Sequence, residues 1–291
     1  MAYLEIVPPL RQRSWGWPAV VNLTLGGTGS GLYLLGAFFT ILSQKWPADV
    51  QFISFQVLAP VVVCFGFLSL SMEAGKPLRA YRLFSNLSNS WMSIESLAGA
   101  IFIIIAFISH FYSSFVFTAI AVVAALVLII SQGFMVFRAT AVKAWNEWLV
   151  PVLFVTSGFM TACGLFLLNT QSHSRMTKLP VVIFLICTFF SLVVWLLYLF
   201  GRRGNDFKKA VNFLRRPVSL LLIVGIGHII PLFLLFSIFL STDVENASLL
   251  SAVLRLVSGL MLIVGGASQK VGIILAAGYY RGIVFESTKE S

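Results

Sequence analysis

Charged residues are scarce in this chain of 291 residues: 10% are Asp, Glu, Lys or Arg, whereas 59% are hydrophobic. Soluble domains carry about 25% charged residues, and a water-soluble protein of this length could not hide so much apolar surface. The composition therefore excludes a soluble domain and predicts an all-α integral membrane protein. The net charge of +10 comes from Lys and Arg placed mostly between apolar runs. That pattern indicates membrane orientation and no nucleic-acid partner.

Cysteine and histidine are also scarce, with three residues of each. The cysteines lie inside apolar runs without CxxC spacing, so we expect packing residues, with no metal site and no iron–sulfur cluster in this chain. His110 falls at a helix end, His173 in a loop and His228 inside a span. Because a membrane haem b takes two histidines from facing helices at matched depth, the sequence predicts no haem.

Eight apolar runs are long enough to cross a bilayer, which takes about 20 residues each. The predicted spans are residues 18–43, 50–72, 93–112, 114–137, 148–169, 179–200, 217–240 and 248–280. The expected fold is therefore a single bundle of eight transmembrane helices over residues 1–291. The first fifteen residues have no apolar core, so we expect no cleavable signal.

Basic residues are distributed unevenly between the two ends of these spans. Most of those between spans lie on the side of the N-terminus, and the opposite side holds Lys45, Arg175 and Lys178. The positive-inside rule then predicts both termini in the cytoplasm and the chain in the inner membrane. A partner exported in folded form could impose the reverse orientation.

Polar residues converge at the interface on the N-terminal side. They include Asn22, Glu73, Glu95, Arg138 and Asn146, with Trp145 and Trp148 beside them. A carboxylate, an amide and aromatic rings at the edge of the hydrocarbon suit a quinone, whose two-electron reduction also needs two protons. An ordinary interface with an aromatic belt and helix caps is the alternative.

Three stretches carry a resemblance to a known family. MEAGKPLRAYR followed by SWMSIES lies between the second and third spans; AVKAWNEWLVPVLFVTSGFMTACG covers the start of the fifth; GLMLIVGGASQKVGIILAAG lies in the last. They resemble the NrfD-like family, the membrane-anchor subunits of polysulfide, DMSO and related respiratory reductases. Glu73 stands where that family often has His or Asp, Lys76 replaces an Arg, and Lys270 stands at another Arg position.

The resemblance implies a haem-free membrane subunit that binds a quinone or quinol, either menaquinone or ubiquinone, in anaerobic electron transport. It also implies a ferredoxin-like iron–sulfur partner, generally linked to a molybdopterin catalytic subunit. By motif, Glu95 and Asn22 are candidates for quinone contact, and Glu73 is a candidate proton relay. The other candidate quinone contacts are Trp91, Arg79, Trp145 and Asn146. The basic loop from Lys76 to Ser90 is the expected docking face.

Two other functions remain open. A secondary transporter or ion-translocating protein could use the intramembrane residues Lys270, Arg255 and His228. In the quinone-linked function, His228 and Lys270 are the candidate proton path. Transporters often show repeated halves, and residues 1–145 show no convincing similarity to 146–291. A structural anchor that has lost quinone chemistry is the third alternative.

Overall fold

The computed structural model describes residues 3–7, 10–43, 54–73, 90–112, 114–170, 177–241, 249–280 and 283–286. Long helices dominate it. The first six are α1 (Trp17–Ser43), α2 (Phe55–Glu73), α3 (Trp91–Phe111), α4 (Phe115–Phe137), α5 (Leu149–Asn169) and α6 (Lys178–Phe200). A short helix α7 (Asn205–Ala210) and a 3-10 turn (Asn212–Arg215) follow.

The last two long helices each contain a π-helical segment, in the middle of the first and at the end of the second. The first of them comprises α8 (Pro217–Leu220), a π-helix (Leu221–Ile229) and α9 (Ile230–Ser241). The second comprises α10 (Leu249–Val271), continued by a π-helix (Gly272–Ala276). Pro231 has no N–H to donate into the preceding turn, which favours a wider turn before it.

Eight helices in the described ranges are long and apolar enough to cross a membrane. The predicted fold class, an α-helical membrane protein with eight transmembrane helices, is confirmed. The chain is thus a multi-pass membrane protein. Helix ends differ from the predicted limits by a few residues, the largest difference being the start of α2 at Phe55.

Two short strands, which the sequence did not predict, join the ends of the chain. β1 (Tyr3–Val7) pairs antiparallel with β2 (Ile283–Glu286), and Tyr3 lies opposite Glu286. Next to them, Gln12 N–H donates to the carbonyl of Gly278 at 2.9 Å. The two terminal segments therefore lie together at one end of the bundle, as an even number of spans requires.

Small residues allow the helices to approach closely, which is how membrane helices associate where lipid offers no hydrophobic driving force. α1 packs against α2, α4 and α5, and α5 packs against α10. A Cβ at Gly29 would lie 2.5 Å from the carbonyl oxygen of Ala59, and one at Gly164 would lie 2.6 Å from that of Gly259. These contacts place α1 within reach of polar side chains from α3, α4 and α10.

Candidate functional site

A buried carboxylate, Glu95 of α3, lies at the centre of a polar cluster near the N-terminal side of the bundle. Asn22 Nδ2 of α1 donates to Glu95 Oε1 at 3.0 Å, and Gln132 Nε2 of α4 donates to the same oxygen at 3.1 Å. The three side chains are 1–2% exposed. We name Glu95, Asn22 and Gln132 the carboxylate cluster.

Local sequence explains why Glu95 faces inward. Ser90 precedes α3 as its N-cap, and its hydroxyl accepts from the Ser93 N–H at 3.4 Å; this fixes the start of the helix. From there, Glu95 shares a buried face with Ala98, Gly99 and Phe102 at helical spacing. The Glu95 side chain therefore points into the bundle and meets α1 and α4.

Glycines in α1 make room for the cluster. A Cβ at Gly26 would collide with Gln132 Nε2, and one at Gly66 of α2 would lie 3.3 Å from Asn22 Oδ1. The small residues of α1 thus provide space for polar side chains as well as close helix contacts.

Two acceptor oxygens of the carboxylate cluster, Asn22 Oδ1 and Gln132 Oε1, are buried and have no hydrogen-bond partner within the described ranges. The reason is geometric, because each amide turns its N–H group toward Glu95 and its carbonyl oxygen away. Buried acceptors without partners are uncommon in proteins. Both oxygens can accept a hydrogen bond from a hydroxyl group or another donor.

Lys270 of α10 lies near the carboxylate cluster, against the adjoining residues of α1. Its ammonium donates to the carbonyl oxygen of Leu23 at 2.7 Å and lies 5.6 Å from the centre of the Phe154 ring. The side chain is 0% exposed. A Cβ at Gly27 would lie 2.5 Å from Lys270 Nζ and 3.6 Å from Gln132 Oε1. The ammonium and the free amide oxygen therefore lie close to the same point.

His228, the other deep candidate, belongs to a second buried network. Its Nδ1 lies 2.7 Å from the carbonyl oxygen of Ile223, and its Nε2 lies 3.1 Å from Gln269 Nε2 and 3.2 Å from Ser191 Oγ. Gln269 precedes Lys270 in α10, so the two networks meet at adjacent residues. A π-helix of the kind that holds His228 is often found at functional sites.

The tryptophans and Asn146 are not brought to Glu95 by their described contacts. Trp91 stacks on Phe134 with ring centres 4.8 Å apart. Trp145 donates to the carbonyl oxygen of Ile273 at 2.8 Å, and Asn146 donates to that of Phe137 at 3.3 Å. In the structure, these side chains hold helix ends together.

Two candidates cannot be placed. Glu73 is the last residue of α2, and its side chain lies outside the described residues, as does all of Arg79. Most of the predicted docking face, from Lys76 to Asn89, also lies outside them. Their roles stay predictions.

An apolar groove of about 520 Å³ lies between α3 and α4. Its lining residues are Ile94, Leu97, Ala98, Ile101, Ala119, Ile120, Val123, Ala124 and Val127. Ile94 adjoins Glu95 in the chain, so one end of the groove lies beside the residue that holds the buried carboxylate.

Gln132 and Gln269 were not among the predicted site residues. Both are amides inside long apolar helices, where polar side chains generally face the bundle interior, and this is the signal by which they could have been found. Among the described residues no three His, Cys, Asp or Glu side chains come together as metal ligands do.

Part of the chain matches a family model whose description is "Polysulphide reductase, NrfD". The match covers residues 9–118, which include Asn22 and Glu95 but not Gln132 or Lys270. No curated protein gives a match. The resemblance seen in the sequence motifs is confirmed over the matched residues.

Proposed function

The chain is NrfD-like over residues 9–118, and from that premise we propose that it is the quinone-reactive membrane anchor of a respiratory oxidoreductase complex. Electrons pass between the membrane quinone pool and a partner iron–sulfur subunit. The catalytic centre lies in a further subunit, which the family resemblance suggests is a molybdopterin protein. The observation that carries this proposal is the buried carboxylate cluster at Glu95.

The cluster has the groups that quinone chemistry needs. Conversion between quinone and quinol moves two protons, and a positioned carboxylate can accept or supply one. The free oxygens Asn22 Oδ1 and Gln132 Oε1 can accept hydrogen bonds from quinol hydroxyls. Asn22 and Gln132 also hold the Glu95 carboxyl in one orientation.

The groove between α3 and α4 supports the same proposal. A respiratory quinone carries a long apolar tail, and this groove is lined by aliphatic side chains throughout. A tail lying in it would reach Ile94, the chain neighbour of Glu95. A transported hydrophilic solute would gain nothing from such a lining.

The position of the carboxylate cluster at one end of the bundle supports a soluble redox partner on that side of the membrane. Glu95 and Asn22 lie near the N-terminal-side ends of their helices, the side on which α4 and α6 end. Exposed basic residues on that side in the described ranges are Arg11, Arg13, Arg138, Arg202, Lys208, Lys209 and Arg216. A partner with an acidic face and a cluster near its surface would complement them.

Co-purification and turnover test the proposal together. The tagged chain, extracted in mild detergent, should bring an iron–sulfur protein with it, and the complex should oxidise or reduce a quinone analogue. A chain that purifies alone and shows no quinone-linked turnover in membranes contradicts the proposal.

The second candidate function is ion translocation, favoured by the buried network of His228, Gln269 and Ser191 beside Lys270. Such a chain of polar groups could carry protons inside the bundle. Proteoliposomes distinguish the two candidates, since a transporter would move ions without quinone or partner. Loss of proton movement in His228→Phe, with quinone turnover retained, would assign the path to this network.

A further inference from the structure

The reaction proposed above uses no cation, yet Lys270 lies fully buried next to the site. An ammonium has three donors, and the hydrogen bond of Lys270 Nζ to the carbonyl oxygen of Leu23 uses one of them. A buried charge is stable only when other groups compensate it. Within the described ranges, the contacts of Lys270 at Gly27 reach Gln132, and Gln132 donates a hydrogen bond to the carboxyl group of Glu95. Glu95 is therefore the candidate anion.

Glu95 shows the complementary arrangement. Its Oε1 accepts two neutral amide hydrogen bonds, and the single ion pair between described residues is that of Arg203 with Glu147. Among the described residues no cation contacts Glu95 directly, so compensation by any of them must act across an intervening group.

Gln132 is that intervening group. Its Nε2 lies 3.1 Å from Glu95 Oε1, while its free Oε1 lies toward Gly27, where Lys270 Nζ also lies. The amide thus presents its N–H to the anion and its carbonyl oxygen toward the cation. This is the orientation in which an amide dipole stabilises both charges. A Cβ at Gly27 would occupy the space between them, which explains why the smallest residue stands there.

We propose that Lys270 is the counter-cation of Glu95 and acts on it through the amide of Gln132, so that Glu95 is ionised when quinol arrives. Lys270 is thus a positioning residue, because it acts on Glu95 through Gln132. The inference rests on the proposed function only for its consequence: an ionised Glu95 can accept one proton of the quinol while the second proton leaves to water on the same side, and the two electrons pass one at a time to the partner's iron–sulfur cluster. A protonated Glu95 could not.

Infrared difference spectroscopy of the purified complex at pH 7 tests the charge state directly. The carbonyl stretch of a protonated Glu95 is identified by its loss in Glu95→Gln. We expect this band to be absent from the wild type and to appear in Lys270→Met, which keeps the chain length and removes the charge. Lys270→Arg should keep Glu95 ionised. Gln132→Leu should also show the band, because the link is lost.

The matched control is Gln269→Leu, which changes a buried amide at the neighbouring position of α10 that contacts His228 and not the cluster. It should show no Glu95 band. Quinol oxidation in Lys270→Met should fall about tenfold or more, the effect of one nearby charge in a medium of effective dielectric about 20, and Lys270→Arg should restore it.

Two results would overturn the inference: a Glu95 band already present in the wild type, which means a neutral pair, or no band in both Lys270→Met and Gln132→Leu. Gln132→Leu leaves Lys270 in place, so it keeps the test valid if Lys270→Met does not assemble. The proposed function fails separately, if wild-type and Glu95→Gln complexes turn over quinol equally.

Discussion

Replacement of Glu95 by glutamine should separate proton transfer from structure. Both hydrogen bonds to this side chain end on Oε1, and a glutamine oxygen at the same position can accept both. The hydrogen bonds themselves should lose only about 1 kcal/mol, their charge-assisted part, and the loss of the proposed counter-charge of Lys270 adds to this cost. The titratable group disappears, whereas the shape and burial of the side chain remain.

The expected loss in turnover is much larger than the loss in stability. A positioned general base contributes about 10²–10⁴ in rate, which corresponds to about 3–5 kcal/mol of activation free energy. Quinone-linked turnover of Glu95→Gln should therefore fall by at least about a hundredfold. Assembly and artificial-dye activity of the catalytic subunit should be unchanged, because the dye bypasses the membrane site.

The matched control is Glu147→Gln, which changes a carboxylate at the same end of the bundle that pairs with Arg203 at 2.9 Å and lies away from the cluster. It should keep quinone turnover within a few fold of the wild type. Equal turnover in Glu95→Gln and the wild type would refute the reasoning and leave Glu73 as the next carboxylate to test.

Three further outcomes are expected. Trp145→Phe should lower the free energy of unfolding by about 2–4 kcal/mol, because it removes the hydrogen bond to Ile273 and part of a buried ring, and reversible unfolding in detergent measures this loss. Quinone turnover should be kept. Lost turnover in a stable variant would instead identify Trp145 as a quinone contact. Cysteines introduced at Ala2 and Ser291 should react with impermeant reagents from the same face of the membrane, so labelling from opposite faces would contradict the topology. The purified subunit should show no haem Soret band, and a reduced-minus-oxidised b-type spectrum would disprove this.

The transmembrane helices were predictable because length and hydropathy alone decide whether a segment can cross a bilayer. The terminal strands were not, since pairing Tyr3 with Glu286 depends on where the whole bundle brings the chain ends. The π-helical turns around His228 could not be predicted either. The sequence there is typical of one continuous apolar helix, and the wider turn depends on local backbone geometry.

The candidate site was predictable in part. Glu95 and Asn22 share a depth and a motif resemblance, and the structure joins them directly. Depth alone does not determine which way a side chain points around its helix axis. For this reason Trp145 was grouped with them but contacts Ile273, whereas Gln132 was overlooked although it completes the cluster.

The position of Glu95 along α3 bears on whether quinone turnover would move net charge across the bilayer. It lies four residues beyond the start of α3, about 6 Å along the helix at 1.5 Å per residue, while the hydrocarbon core is about 30 Å thick. A quinone head at this depth is close to water and to a partner docked on the same side. Under the proposed function, electrons and protons would enter or leave on one side, and the reaction itself would move no net charge across the bilayer. Charge movement would need a separate path, and the contacts of Lys270, Gln269 and His228 give it a direction, inward from the cluster toward the middle of the bundle.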